Sequence, residues 1–106
     1  MSILIVHCSC PDSAVATAIA HALVSERLAA CVSRLAGAVS TYQWNDGICV
    51  DDEVLLLIKT TVIGFQALKT RLLELHPYEL PEIIAVDVSV AHADYIDWVE
   101  SQVGVP

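Results

Sequence analysis

The stretch His76-Pro77-Tyr78-Glu79-Leu80-Pro81-Glu82-Ile83-Ile84 puts two prolines four residues apart, and no single regular element can run through it. Pro77 turns His76 away from helical backbone, and Pro81 does the same to Leu80. A helix arriving from the N-terminal side must stop near His76, and the next element can begin only after Pro81. Between them lies a short, stiff connector carrying a histidine, a tyrosine and two glutamates. Polar groups held stiffly beside a scaffold can form a ligand site, and the plain alternative is a helix-to-strand turn.

The rest of the chain arranges itself around that break. Ser2–Cys10 reads as a strand apolar on both faces at its start, with Ile3 and Ile5 alternating with Leu4 and Val6. Asp12 or Ser13 caps a helix that runs to about Arg27 or Leu28, with Val15, Ile19, Ala22 and Leu23 as its apolar stripe and His21 off it. An extended segment from Ala29 continues to Tyr42, with a bulge or close approach at Gly37, and Thr41-Tyr42-Gln43-Trp44 has strand character. Asn45-Asp46-Gly47 is a turn, and Asp52–Thr61 is the returning strand of a long hairpin with Tyr42 and Trp44 near its tip. Thr60 or Thr61 is expected to cap a second helix, whose stripe is Phe65, Leu68, Leu72 and Leu75. Glu82–Val90 reads as a strand with Ile84, Val86, Val88 and Val90 on one face, and Asp94–Gln102 as a last short helix.

That order is a split β-α-β pattern, which predicts an α+β, ferredoxin-like sandwich formed by one domain over residues 1–106. Two helices would cover one face of an antiparallel sheet. The other face would keep apolar residues uncovered, which predicts a homo-oligomer. Composition narrows the function classes. With 56% hydrophobic residues the chain can build a core. A net charge of −8, with only five Lys and Arg, speaks against nucleic acid and against anionic membrane surfaces. No apolar run approaches the roughly 20 residues of a membrane span, and no signal peptide is visible. The expected location is the cytoplasm, with the four cysteines as thiols.

Taken together, Leu28-Ala29-Ala30-Cys31-Val32, Tyr42-Gln43-Trp44, Leu56-Leu57-Ile58-Lys59-Thr60, His76-Pro77-Tyr78-Glu79-Leu80-Pro81-Glu82-Ile83 and Asp94-Tyr95-Ile96-Asp97-Trp98 resemble the CutA family of divalent-cation tolerance proteins. The resemblance implies a ferredoxin-like homotrimer similar in architecture to the PII signalling proteins, with the long hairpin reaching a neighbour. It implies tolerance to divalent cations, copper binding and no enzymatic activity. The family's proposed copper ligands match Cys8 and His76 here. Some relatives carry two adjacent histidines where this chain has Leu75 before His76, so His7 or Cys10 is the expected substitute ligand.

The donor types agree with that expectation, because thiolate and imidazole suit copper and zinc better than hard cations. Other candidates have plainer readings. Cys31 is expected in packing, and Cys49 is expected to be exposed and oxidisable. Trp44 and Trp98 are read as packing or interface anchors, and Glu79 and Glu82 as surface groups without a nucleophile beside them. Lys59 is expected to snorkel, or to pair with Glu82 or another carboxylate. The alternative function is a PII-like signalling module that binds a small molecule or protein between subunits, near His76, Tyr78 and Glu79.

Overall fold

The computed structural model describes residues 3–104, so Ser2, the expected start of the first strand, lies outside the described residues. The elements run β1 (Ile3–Cys10), α1 (Ser13–Ser25), β2 (Cys31–Trp44), β3 (Gly47–Thr61), α2 (Phe65–Leu75), β4 (Ile84–Asp87) and α3 (Ala93–Gln102). The strands form one antiparallel sheet in the order β2-β3-β1-β4. This is the α+β arrangement expected from the sequence.

Strand alternation assigns the two faces. Leu4, Val6, Cys8 and Cys10 of β1 and Val54, Leu56 and Ile58 of β3 turn to the helices, where they meet Ile19 and Leu23 of α1 and Leu68 and Leu72 of α2. Each fully buried leucine here contributes about 1.5–3 kcal/mol of transfer free energy. Asp12 provides the α1 cap, its Oδ1 accepting from the Val15 N–H at 2.8 Å. Ile3 faces the other way and packs under α3 with Ile96, Val99 and Val103. Beyond that contact the second face stays open, and Ile84 and Val86 are 55% and 53% exposed on it.

Some boundaries differ from expectation for local reasons. Helix α1 ends at Ser25, because Arg27 takes a positive φ of 60° and the Leu28 and Ala29 amides both return to the Leu23 carbonyl. Neither threonine caps α2. Thr60 is buried and donates to the Leu28 carbonyl, while Thr61 Oγ1 accepts from the Gly64 amide one turn ahead of the helix. Strand β4 covers only Ile84–Asp87 of the expected Glu82–Val90, and at its C-terminal end its partner β1 runs out. The Val88 amide makes the last bond, to the Ile3 carbonyl, and Val90 is left exposed.

The hairpin turns on Asn45 and Asp46, both at positive φ, which matches the twist of the flanking strands. The bulge expected at Gly37 is present. Leu35 pairs with Leu55 and Ala38 pairs with Glu53, so β2 carries one residue more than β3 across this step. Gly37 sits at φ 87°, and among the described residues nothing beyond its own two chain neighbours lies within 4 Å of where its Cβ would be. Backbone conformation rather than space therefore requires glycine there.

Candidate functional site

Two chain segments meet at the C-terminal end of β1. Cys8 and Cys10, two residues apart on a strand, share its helix-facing side and are fully buried. His76 closes α2, its amide bonded to the Leu72 carbonyl and its backbone extended at φ −80°, ψ 134°, as the following Pro77 demands. That conformation swings the buried imidazole over the strand end. The ligand atoms of Cys8, Cys10 and His76 all lie within 4.8 Å of one another. The structure thus brings together both sequence-predicted ligands and adds Cys10 as the third.

His7 does not join them. It pairs with Leu57 and Ile84 on the opposite face of the sheet, where alternation keeps it from the thiols. Leu75, at the position of the family's other histidine, packs against the main core. Of the two expected substitutes, geometry selects Cys10.

The imidazole is held at both nitrogens. The Tyr78 amide donates to Nδ1 at 3.1 Å, so Nε2 carries the proton and donates to the Ser9 carbonyl at 2.7 Å. The thiols are coupled as well. A hydrogen bond from Cys8 to Cys10 holds Cys10 below the ordinary thiol range, and the same bond with burial pushes Cys8 well above it. One thiol is therefore primed to become a thiolate while its neighbour stabilises the charge as a donor.

On the other side of the strand end lies a polar group that the sequence did not single out. Glu53 is buried, 8% exposed, and its Oε2 accepts from the Tyr78 hydroxyl at 2.7 Å. Ser9 donates to Glu82 at 2.6 Å. Burial, then the bond to Glu53, pushes the Tyr78 phenol well above its ordinary value. Tyr42 bonds Asp51 further out along the hairpin, which pushes its phenol up to about 12. Among the described residues Lys59 pairs with no carboxylate. Its ammonium donates to Ser33 at 2.7 Å and lies 4.0 Å from the Cys31 sulfur, across the β2–β3 ladder. Cys49 is half-buried rather than fully exposed.

The match to the family model of the CutA1 divalent ion tolerance protein spans residues 4–102. This chain belongs to the CutA1 family. It is 46% identical over 94 residues to the divalent-cation tolerance protein CutA of Thermus thermophilus, covering 89% of this chain and 91% of the relative. The corresponding protein of Pectobacterium atrosepticum is 40% identical over 98 residues, covering 92% and 89%. Among solved structures, CutA from Xylella fastidiosa superposes with a TM-score of 0.96 at 46% identity, covering 98% of this chain and all of that one. The Thermus thermophilus CutA1 structure gives 0.94 at 43%, covering 96% and 99%. These relatives are named for divalent-cation tolerance and not for a reaction, so CutA1 membership directs attention to metal ions.

The donor set fits a soft metal. Two thiols and one imidazole are what copper(I) or zinc prefers, whereas calcium or magnesium would require oxygens. The bonds at Nδ1 and Nε2 set a condition: His76 can ligate only by giving up one of them. A metal ion held here would therefore rely first on the thiol pair, with the histidine completing the set.

Proposed function

We propose that this protein is a copper-binding member of the CutA1 family, acting in divalent-cation tolerance as a homotrimer in the cytoplasm and without catalysis. The observation that carries the reading is the convergence of Cys8, Cys10 and His76 within 4.8 Å as a buried cluster of soft donors. Cys8 and Cys10 would hold the ion as thiolates, and His76 would complete its ligand set. Such binding displaces thiol protons. The oligomer is supported by the open sheet face, where Leu35, Ile84 and Val86 remain exposed. The four free cysteines are in keeping with a reducing compartment.

The test is anaerobic competition for copper(I) against a chromophoric chelator. Wild type is run beside Cys8→Ser, Cys10→Ser and His76→Ala. One copper per chain in wild type, lost in both cysteine variants and weakened in His76→Ala, is the expected result. Equal binding by all four proteins would remove the site. Analytical ultracentrifugation at micromolar concentration should show a trimer, and a monomer there would end the oligomer reading.

A further inference from the structure

The face opposite the thiols carries a cleft of about 670 Å³ between the connector and the hairpin. Its walls hold three carboxylates, Glu53, Glu79 and Glu82, and three aromatic rings, Tyr42, Trp44 and Tyr78. No Lys, Arg or His is among its lining residues. We propose that this cleft binds a small organic cation, a primary ammonium or guanidinium on a short alkyl chain, with its head at Glu53 and Glu82 and its body against Trp44 and Tyr42.

Glu53 is the strongest argument. It is more than nine-tenths buried and lines the cleft, and a neutral phenol is its one hydrogen-bond partner among the described residues. Its Oε1 receives no donor from them and is not sealed from solvent. A carboxylate enclosed on most sides and open only to a cleft is stabilised by a cation that enters there. A ligand ammonium would supply both charge and donors. The aromatic rings add the second half of the recognition, since a cation beside an indole or phenol ring is attracted to its face. Trp44 and Tyr42 remain about two-fifths exposed and open to such contact.

Other occupants fit less well. An anion would enter a carboxylate-lined cleft of a chain with net charge −8. A hard divalent ion requires about six oxygens and gains nothing from the aromatic walls. The cation could be a free amine or a basic side chain of a second copy. Arg27, Arg34, Lys59 and Arg71 each donate to groups within their own chain. Lys69 has no such bond among the described residues, which makes it the side chain a neighbour could offer.

Isothermal titration calorimetry at low ionic strength tests the proposal, with putrescine and agmatine as probes and butanediol and magnesium chloride as controls. Wild type, Glu53→Gln, Trp44→Ala and Lys69→Ala are compared, each with folding verified by circular dichroism. Saturable amine binding by wild type, about tenfold or more weaker in Glu53→Gln and also weakened in Trp44→Ala, is expected for a free ligand. A silent wild type with a binding Lys69→Ala supports the site with a second copy as the source. Amine binding by neither protein overturns it, as does equal binding of butanediol or magnesium, or binding unchanged in Glu53→Gln and Trp44→Ala. Copper(I) binding by the thiol side does not enter this readout, so the two proposals stand or fall separately.

Discussion

Replacing Tyr78 with phenylalanine removes one oxygen and tests how the strand end is held together. The Tyr78 hydroxyl is the donor to Glu53, at 2.7 Å, and Glu53 is buried. A hydrogen bond to a charged group contributes about 1.5–3 kcal/mol, and stranding a buried acceptor adds desolvation cost. Glu53 lines an open cleft through which water can reach it, so the lower end applies, about 1.5 kcal/mol. At about 4–8 °C per kcal/mol for a domain near this size, Tm should fall by about 6–12 °C. The assay is thermal unfolding by circular dichroism at one fixed protein concentration, because assembly would make Tm concentration-dependent. Glu53→Gln and the double variant complete a cycle, and the pair should be non-additive. A loss below about 2 °C, or strict additivity, would mean that the bond contributes nothing and that water already satisfies Glu53. The pH dependence provides an independent check. Tyr78 is raised in the folded state, first by burial and then by Glu53, whereas an unfolded tyrosine ionises near pH 10 (roughly). Its contribution is complete below that pH and is lost as pH rises above it. Tyr78→Phe should therefore show a shallower alkaline decline than wild type.

Three further outcomes follow from the same geometry. Leu72→Ala empties a fully buried position between α2 and the sheet and should cost about 2–5 kcal/mol by urea unfolding; a cost under about 1 kcal/mol would show that the layer collapses freely. Arg71→Ala breaks bonds of 2.9 and 3.0 Å to Glu26 at a partly exposed pair, yet should cost no more than about 1 kcal/mol, and a larger loss would show an unusually rigid surface pair. Copper(I) affinity, measured by chelator competition across pH, should weaken steadily toward acid as the Cys8 and Cys10 thiols hold their protons; a flat profile would exclude them as ligands.

Much of this could be read from residue patterns. Period-two and helical spacing placed every element, because one buried face forces apolar residues into register. The proline pair placed His76 at a helix end, and cap chemistry at Asp12 was local enough to see. The boundaries that moved depend on distant partners. β4 is cut short by where β1 starts, and α1 ends where the loop amides return to the Leu23 carbonyl. At the site, Cys8 and His76 came from the resemblance; alternation sets Cys10 rather than His7 beside Cys8, but placing His76 on that face required knowing that it is the face packed on α2. Glu53 was invisible for the same reason. An acidic residue in a hairpin reads as solvated until the Tyr78 connector, distant in sequence, is laid over it. Lys59 likewise found a hydroxyl across the ladder rather than a carboxylate.

The extra residue at Gly37 makes the outer hairpin a phase-shifted copy of its base. Before the bulge, odd-numbered β2 positions such as Ser33 and Leu35 share the face of Leu55 and Leu57; after it, even-numbered Ala38, Ser40 and Tyr42 share the face of Glu53 and Asp51. Closing the bulge without removing a residue would slip the outer part of β2 by one position against β3 and exchange the two sides of its arm. Val39 and Thr41 would turn toward the face of Glu53, while Ser40 and Tyr42 turned away. Substitutions along the arm change the ligand face one group at a time, whereas the reading frame of the bulge changes all of it at once.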